Sequence, residues 1–341
     1  MTKIVETTYR VRREPLRTSF STSLRSINEL SVIEFHIKTD DGIEVFGESV
    51  ETPAITGDTS AAIQSDFDLR LSKALIGKEF EDAASFYRAH IAQIRTTNSA
   101  KAAADFALYE LQAVVSGKSL KEVLGCLATQ VKSDVTIPLS EISEIPTLLA
   151  ARTEFSIFKV KLGSEDMKTR VYKVQLIREI AGAEAGIRID PNQAWSVDES
   201  ITFSEETERL GLGIEYLEQP IAAMNKKGLA QIRKMSGTKI MADEALYTIA
   251  DLELLHGLNS VDLINIKTLK SGGITPALEI IARAKELGVA FSIGTMMEGD
   301  KGILAAILIA GAHRPDYCHD LDAAWWASNT RLRYAKSMVA I

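Results

Sequence analysis

This chain of 341 residues has little cysteine, no long hydrophobic run and no excess of positive charge. Its two cysteines, Cys126 and Cys318, are too few for a disulfide framework or a thiolate zinc site. We therefore expect both to be small buried hydrophobic side chains in a reducing compartment. No apolar run is long enough to span a membrane, and the first residues contain no apolar signal segment. These absences predict a cytoplasmic protein.

The charge balance narrows the range of partners. A net charge of −7 argues against a general affinity for nucleic acid or for an anionic membrane. A substrate that carries a carboxylate would need local positive charge, from lysines, an arginine or a metal ion. The hydrophobic content of 46% and the charged content of 25% are ordinary for a globular protein. The sequence leaves open whether the chain forms a homo-oligomer.

The first third of the chain, residues 1–125, is predicted to be an α+β capping domain. Apolar and polar residues alternate over 31–37, and a second short run at 43–48 follows a turn, which is typical of antiparallel strands. Helical patterns follow. The clearest is predicted to begin with Ser99 as its N-cap and to end at Gly117.

Strand and helix patterns alternate from about residue 134, which favours a parallel barrel. The predicted fold is α/β, with a TIM-like (β/α)7β barrel at 126–322 and a segment at 323–341 that returns to the capping domain. A doubly wound open sheet is the competing architecture. The predicted barrel strands are 134–138, 156–161, 186–190, 214–218, 239–243, 262–267, 289–293 and 316–320. The predicted helices between them include 165–181, 198–211 and 276–288.

Five residues that can bind a metal or carry a proton follow short apolar runs in this region. They are Lys161, Asp190, Glu218, Asp243 and Lys267, and neighbours in this series are between 24 and 29 residues apart. A strand, a helix and two loops take roughly 25–30 residues. In a TIM barrel the ends of successive strands converge on one mouth, which is where active sites lie. Two lysines and three carboxylates at that mouth suggest a metal-assisted proton abstraction.

The three carboxylates Asp190, Glu218 and Asp243 form a ligand set of hard oxygen atoms. Such a set favours one Mg²⁺ per subunit, with Mn²⁺ as the alternative, over zinc. A single acid at a strand end usually faces solvent. Three in succession, each directly after an apolar strand, favour a shared metal site. Asn192 and Glu244 follow two of these strands; they orient the ligands or simply make loop hydrogen bonds.

The lysines suggest base chemistry. Lys159 and Lys161 point to the same side of one strand, and burying two ammonium groups without a function would cost several kcal/mol. A neighbouring cation lowers the pKa of a lysine, which suits it to act as a base. Lys267, from a strand across the barrel, either opposes Lys161 or forms a salt bridge with a metal-site acid. Opposed lysines meet the requirement for racemisation or epimerisation. Lys270, beyond the strand, is expected to be structural or solvated.

At these residues the chain resembles the enolase superfamily, in its muconate-lactonizing subgroup. The matching elements are the Lys159-Val160-Lys161 motif, the three carboxylates and the strand 262–267, and the resemblance covers residues 3 to about 325. It implies a lysine base and Mg²⁺, the combination known from enolase-type sites. The metal would chelate a substrate carboxylate, and electrostatic stabilisation of the ene-diolate would be the main catalytic contribution.

Substrate residues are implied by further resemblances. Asp320-Leu321-Asp322 resembles the Asp-x-Asp of dipeptide epimerases, which holds the α-ammonium group of a dipeptide; two carboxylates would also repel dicarboxylate substrates. The alternative is a solvated turn. Segments 22–26 and 55–58 resemble two mobile loops that this group folds over the barrel mouth.

Three more residues follow from this resemblance. Arg25 matches the arginine that pairs with a glutamate side chain in L-Ala-D/L-Glu epimerases, although a surface arginine is the commoner case. Thr295 and Glu298 match the seventh-strand segment that lines the site. Glu298 would pair with Lys267 or with a substrate amide.

The function that the resemblance implies is Mg²⁺-dependent epimerisation of a dipeptide at the Cα of its C-terminal residue, with L-Ala-Glu as the preferred substrate. Lys161 and Lys267 would be the acid–base pair, and Lys159 would tune Lys161 and hold the substrate carboxylate. One alternative is another reaction of the subgroup, that of a cycloisomerase, an o-succinylbenzoate synthase or an N-acylamino acid racemase. The other is a catalytically silent relative that binds a metal or a peptide.

Overall fold

The computed structural model describes residues 2–314 and 316–341. Its N-terminal part is a four-stranded antiparallel sheet covered by helices, as predicted, with the strand order β3-β2-β1-β4. The strands are β1 (Thr2–Ser21), β2 (Ser26–Thr39), β3 (Glu44–Val50) and β4 (Glu79–Phe80). The helices are α1 (Ser60–Asp66), which continues through a π-helical turn at Phe67–Leu71 into α2 (Ser72–Leu75), then α3 (Ala83–His90), α4 (Asn98–Ser116) and α5 (Leu120–Val123).

Helix α4 ends at Gly117 as predicted, but its N-cap, Thr97, lies two residues before the predicted one. The side chain of Thr97 accepts a hydrogen bond from the backbone N–H of Ala100 and caps the helix. Ser99 lies in the first turn, where its N–H and hydroxyl both donate to Asp58. The prediction that Ser99 is the cap was therefore wrong. Serine and threonine can both cap a helix, but here the hydroxyl of Ser99 is used in its hydrogen bond to Asp58.

The remainder of the chain forms a parallel barrel, which confirms the predicted fold and excludes the doubly wound open sheet. Seven strands pair in the order β12-β11-β10-β9-β8-β7-β6. The first barrel strand is split at Asp134 into β5 and β6. The strands are β5 (Gln130–Ser133), β6 (Val135–Ile137), β7 (Ile157–Lys161), β8 (Gly186–Asp190), β9 (Ile214–Glu218), β10 (Lys239–Ala242), β11 (Leu263–Lys267), β12 (Ala290–Gly294) and β13 (Cys318–His319).

The short strand β13 closes the barrel. On one side His319 accepts a hydrogen bond from the backbone N–H of Asp134, at 2.9 Å. On the other side Asp320, directly after β13, donates its N–H to Ile293 at 3.1 Å. The helices outside the barrel are α6 (Ile145–Ala150), preceded by a 3-10 turn at Ile142–Glu144, then α7 (Met167–Ala181), α8 (Val197–Arg209), α9 (Lys226–Met235), α10 (Ile249–Gly257), α11 (Thr268–Ser271), α12 (Ile274–Leu287) and α13 (Asp300–His313).

The C-terminal segment contacts both parts of the molecule. After α14 (Ala323–Trp326), Ser328 donates its N–H to Pro15 of β1 in the cap. The chain then forms the hairpin β14 (Tyr334–Ala335) and β15 (Met338–Ala340), and β15 pairs with β5 of the barrel. The last residues therefore end on the barrel rather than on the cap. The domain boundaries at residues 125 and 322 stay predictions.

Apolar side chains from the cap and the barrel pack into one extended core. Cys126 and Cys318 are buried and neither forms a disulfide with another described residue, which agrees with the role expected for them. Among the described helices, none is long and apolar enough to cross a membrane.

Polar contacts seat the cap on the barrel. Asp105 of α4 accepts hydrogen bonds from the N–H and the hydroxyl of Thr275, at 2.7 and 3.0 Å. Glu48 of β3 accepts from the backbone N–H groups of Lys301 and Gly302, in the first turn of α13. A carboxylate at a helix N-terminus is favourable because it meets unpaired N–H groups and the positive end of the helix dipole. These contacts place the loops at 22–26 and 55–58 over the carboxyl ends of the barrel strands.

Within the cap, strand β3 and helix α4 touch at the level of their backbones. A Cβ atom on Gly47 would lie 2.1 Å from the carbonyl oxygen of Ala103 and 2.6 Å from Cβ of Phe106. Neither contact can be relieved by rotating a side chain. The sheet and the helix therefore pack at this distance only because residue 47 is glycine.

We expect Gly47→Ala to lower the free energy of unfolding by about 2 kcal/mol or more, since an inserted methyl group forces the backbones apart. The matched control is Gly257→Ala at the end of α10, where no described atom lies within 4 Å of the added Cβ. The control should be neutral or slightly stabilising. Urea unfolding of both variants measures the difference. Equal stabilities would contradict the close packing.

Candidate active site

A pocket of about 480 Å³ of empty space opens at the carboxyl ends of the barrel strands, beneath the cap loops. It brings together eight of the eleven residues predicted for the site. Asp190, Glu218 and Glu298 are not among the described residues that line it, although all three are buried nearby. The predicted residues in its wall are Arg25, Lys159, Lys161, Asp243, Lys267, Thr295, Asp320 and Asp322.

The parallel register of the strands explains this convergence. Lys161, the last residue of β7, pairs in register with Asp190, the last residue of β8. Lys267 at the end of β11 pairs with Gly294, which in turn bridges to Asp320 after β13. Strand ends at the same level bring side chains distant in sequence to one mouth.

The ammonium group of Lys159 lies among three carboxylates. Its Nζ atom is 3.0 Å from Asp190 Oδ2, 2.8 Å from Glu218 Oε1 and 2.9 Å from Asp320 Oδ2. Lys159 is 1% exposed, so these contacts are almost fully shielded from water. A buried ammonium group is tolerable only when it is paired in this way. The three carboxylates therefore stabilise positive charge at this position in the barrel.

The two predicted bases make separate ion pairs on different sides of the barrel. Lys161 Nζ is 2.5 Å from Asp190 Oδ2. Lys267 Nζ is 3.0 Å from Asp243 Oδ2 and 3.5 Å from Asp320 Oδ2. The salt bridge considered as the alternative role of Lys267 is thus present. Three strands, β8, β9 and β10, separate the two lysine-bearing strands in the sheet.

At Lys159 and Lys267 the nearby carboxylates together outweigh the effect of burial on the pKa. Burial lowers the pKa of Lys159, but Asp320, Glu218 and Asp190 together outweigh it and raise the pKa well above its ordinary value. Burial likewise opposes Asp243 and Asp320 at Lys267, and the carboxylates again raise the pKa. The carboxylates around Lys159 and Lys267 therefore favour the charged form of both ammonium groups.

The predicted metal ligands are each engaged by an ammonium group in this arrangement. Within 2–314 and 316–341, no three or more His, Cys, Asp or Glu side chains are grouped closely enough to hold a metal ion. Asp190, Glu218 and Asp243 nevertheless fit a hard divalent cation, because they offer only oxygen donors from adjacent strands. Glu218 Oε2 is buried and finds no hydrogen-bond partner in the described chain, so one carboxylate oxygen remains available to a cation.

The residues around these carboxylates hold them in place. Asn192, in the left-handed region at φ 45°, donates its N–H to Asp190 Oδ1 at 2.8 Å and its side-chain amide to Glu244 Oε1 at 3.2 Å. Both roles considered for Asn192 are therefore met at once. Burial and the charges of Asp243 and Asp190 raise the pKa of Glu244 to about 7.

Two further polar residues contact the site, and the sequence reasoning missed both. Asn265 donates from its side-chain nitrogen to Glu218 Oε1 and to Asp320 Oδ2, each at 3.0 Å. Gln219, directly after β9, accepts from the backbone N–H groups of Asp243 and residue 245. The period of two on β11 places Asn265 on the same side as Lys267, a signal that would have found it.

Asp320 and Asp322 both face the pocket but differ in environment. Burial disfavours the charge of Asp320, yet Lys159 and Lys267 outweigh it and lower its pKa. Asp322 Oδ2 accepts hydrogen bonds from the N–H of Thr136 at 2.7 Å and from the indole N–H of Trp326 at 3.0 Å. Burial and the charge of Asp320 nevertheless raise the pKa of Asp322. A further positive charge beside Asp322 would relieve that repulsion.

Arg25 lies in the capping domain, on the loop between β1 and β2, and is half-buried. Its Nε atom is buried and finds no acceptor among the residues that the structure describes. Burial lowers the pKa of its guanidinium, and Glu51 only partly opposes this. A half-buried guanidinium with an unused donor in a pocket wall is suited to an anionic ligand group.

Thr295 and Glu298 follow β12. Thr295 lines the pocket and donates its N–H to the backbone carbonyl of Asp320 at 3.0 Å. Glu298 Oε1 accepts from the N–H of Met296 at 2.7 Å, while Oε2 is buried with no hydrogen-bond partner in the described residues. No ion pair joins Glu298 to Lys267 in the described structure, because the Glu298 carboxylate turns back to its own loop. The predicted contact with a substrate amide stays a prediction.

The sequence of the chain matches two known protein domain families and resembles known enzymes over most of its length. It matches the mandelate racemase / muconate lactonizing enzyme N-terminal domain over residues 3–125 and the enolase C-terminal domain-like family over 146–338. The L-Ala-D/L-Glu epimerase of Clostridium acetobutylicum is 33% identical over 310 residues, which cover 90% of this chain and 86% of the relative.

Solved structures agree with this. A substrate-liganded L-Ala-D/L-Glu epimerase from Bacillus subtilis superposes with a TM-score of 0.94 at 31% identity, over 99% of this chain and 96% of that chain. A dipeptide epimerase from Enterococcus faecalis, solved with Mg and the dipeptide L-Leu-L-Tyr, gives a TM-score of 0.91 at 27% identity, over 99% and 97%.

The raised pKa of Glu298 makes stability depend on pH. Burial raises its pKa to about 7, above the value of about 4.3 for an unfolded glutamate. Its contribution to stability is complete below about pH 4.3 and is lost as the pH rises towards 7. We expect Glu298→Gln to remove this loss. As the pH rises from about 4.3 to about 7, the free energy of unfolding of the variant should come to exceed that of the wild type by roughly a few kcal/mol. Unfolding curves at several pH values test this, with Glu205→Gln on the exposed side of α8 as the control. Parallel stability profiles for Glu298→Gln and the wild type would contradict it.

Proposed function

Since the chain belongs to the mandelate racemase / muconate lactonizing family of the enolase superfamily, we propose that it is a Mg²⁺-dependent dipeptide epimerase. As an isomerase it inverts the Cα of the C-terminal residue of a dipeptide. The observation that carries the proposal is the pair of lysines, Lys161 and Lys267, at the ends of well-separated strands in the wall of one pocket.

The two lysines act as acid and base on opposite faces of the substrate. One removes the α-proton of the C-terminal residue, which leaves an ene-diolate, and the other delivers a proton to the opposite face. One proton is taken and one is returned, so no oxidant or co-substrate is needed. General acid–base catalysis of this kind contributes about 10²- to 10⁴-fold to the rate. Lys159 supports the reaction by holding the substrate carboxylate and tuning Lys161.

Asp190, Glu218 and Asp243 are the residues that would hold the metal ion, one per subunit. The donor chemistry, the unpartnered Glu218 Oε2 and the Mg in the Enterococcus faecalis relative support this assignment. When bound, Mg²⁺ supplies positive charge that stabilises the substrate carboxylate and offsets the negative charge beside the lysines. Mn²⁺ offers the same charge and accepts the same oxygen donors.

The substrate is a dipeptide with a free α-ammonium group and an anionic C-terminal side chain. Asp320 and Asp322 hold the ammonium group, which provides the positive charge that Asp322 lacks. Arg25 pairs with the side-chain carboxylate through its unused donor. Thr295 completes the wall beside Asp320. L-Ala-L-Glu and L-Ala-D-Glu satisfy these requirements, and the similarity to L-Ala-D/L-Glu epimerases supports the choice.

Proton NMR in D₂O tests the two-base mechanism. With Mg²⁺ and L-Ala-L-Glu, the wild type should exchange the α-proton of glutamate and form the other epimer. Lys161→Met and Lys267→Met should each lose epimerisation by at least about 10²-fold. Each should keep exchange with at most one epimer, and the retained epimer should differ between the two variants.

Three results would contradict this. Exchange without epimer formation in the wild type would mean that the lysines do not work from opposite faces. No exchange with any dipeptide would favour a silent binding protein. Turnover of an N-acylated amino acid or a cycloisomerase substrate, which has no free ammonium group, would favour another reaction of the subgroup.

The role of Arg25 predicts a selective loss. We expect Arg25→Gln to raise the KM for L-Ala-L-Glu about 10- to 100-fold, because hydrogen bonds to a charged group contribute about 1.5–3 kcal/mol. The KM for a dipeptide with a neutral C-terminal side chain should change little. Steady-state kinetics on both substrates measure this, with the exposed Arg209→Gln as the control. An equal effect on both substrates would overturn the role.

A further inference from the structure

A buried lysine outside the catalytic pair contacts Asp243 twice. Lys270, on the short helix α11, donates from Nζ to both the backbone carbonyl and Oδ1 of Asp243. Its side chain is completely buried, and the same Nζ lies 3.4 Å from the carbonyl oxygen of Asn265. Of the two roles expected for Lys270, the structural one is observed. One ammonium group thus holds residue 243 by both its main chain and its carboxylate.

Tyr247 connects this lysine to the cap. Nζ of Lys270 lies 5.6 Å from the centre of the Tyr247 ring, within the range of a cation–π contact. The Tyr247 hydroxyl donates to the backbone carbonyl of Ile55 at 3.0 Å. The backbone N–H of Tyr247 donates to Asp251, which belongs to the capping box of α10. The ring therefore belongs to the barrel, and its hydroxyl bonds to the cap.

Ile55 lies on a compact turn, residues 52–58, which we call the cap loop. Within it Thr52 donates its N–H to Asp58 at 3.0 Å, and Thr56 donates to Thr52 at 2.9 Å. Asp58 is held in turn by the N–H and hydroxyl of Ser99 at the start of α4. Ile55 also lines the pocket. The residue that accepts the Tyr247 hydroxyl is thus part of the cover over the site.

A second contact ties Lys270 to the cap. The side-chain nitrogen of Asn98, the first residue of α4, donates to the backbone carbonyl of Lys270 at 2.7 Å. The main chain of Lys270 is therefore held by the cap, while its side chain is held by Asp243. A change in the position of Asp243 cannot leave this lysine unaffected.

From these contacts we propose that Lys270 and Tyr247 are positioning residues that couple the seating of the cap loop to the orientation of Asp243. They touch neither the substrate nor the reacting atoms in the proposed reaction. When Asp243 turns towards a cation, Lys270 shifts with it, and the Tyr247 ring and hydroxyl carry the change to Ile55. The coupling rests on the proposed function, since that function makes Asp243 a metal ligand.

Tyr247→Phe tests the coupling because it removes the hydroxyl bond and keeps the ring. The control is Tyr172→Phe, at a half-exposed tyrosine on α7 remote from the pocket. Hydrogen exchange of the cap-loop amides, without metal, should be roughly three- to tenfold faster in Tyr247→Phe than in the wild type or the control. The KM for L-Ala-L-Glu should rise by a similar factor while kcat stays within about twofold, because a loosened cap loop adds an ordering cost to substrate binding.

Lys270→Met tests the link to the metal ligand. By calorimetry it should still bind Mg²⁺, since Asp190, Glu218 and Asp243 are intact. Mg²⁺ should slow cap-loop exchange at least about threefold in the wild type and in Tyr172→Phe. This response should be absent in Lys270→Met and in Tyr247→Phe.

Two failures can be told apart. A wild type that binds no Mg²⁺ would refute the proposed metal site. Metal-free cap-loop exchange in Tyr247→Phe that equals the wild-type rate would refute the coupling, whether or not Mg²⁺ binds. An equal Mg²⁺ response in the wild type, Tyr247→Phe and Lys270→Met would also refute it.

Discussion

The balance of buried charge at the barrel mouth is the constraint on which the rest of the site depends. Four ammonium groups, those of Lys159, Lys161, Lys267 and Lys270, are met there by the carboxylates of Asp190, Glu218, Asp243 and Asp320. Neither set could be buried alone, because an unpaired ion in a protein interior costs several kcal/mol. The near-neutral cluster keeps its charges close together in a dry place, where electrostatic effects on a reacting group are strongest. A divalent cation added to this cluster would leave it positive, which suits a substrate that enters with a carboxylate.

Much of this arrangement could be predicted from the sequence, because a barrel is built from a repeated strand–helix unit. The regular spacing of polar residues after apolar runs located the strand ends, and the parallel register then brings those ends to one level. The same logic did not reveal Gln219, which contacts Asp243 through a left-handed turn rather than through strand periodicity. It also misplaced the start of α4, because Thr97 and Ser99 are equally good caps and only the position of Asp58 distinguishes them. Contacts made by turns and by distant loops depend on the assembled fold.

The carboxyl ends of the barrel strands and the cap loops supply different kinds of selectivity. The barrel presents groups for features that every α-amino acid derivative shares, a carboxylate and an acidic α-proton. The cap supplies Arg25 and Ile55 to the pocket wall, and in the proposed function these residues face the variable part of the ligand. Asp322 is held by donors from the barrel strand β6 and from α14 in the C-terminal segment. Under the proposed function, this division allows ligand choice to change without a change in the chemistry of the barrel.

The contact at Gly47 has a consequence for how such a protein diversifies. Because β3 and α4 meet backbone to backbone, the sheet and the helix of the cap are held at a fixed distance from each other. Residues in the loops at 22–26 and 52–58 can then be exchanged without disturbing the scaffold that carries them. Under the proposed function, ligand choice can therefore change through these two short stretches of chain while the scaffold beneath them stays the same.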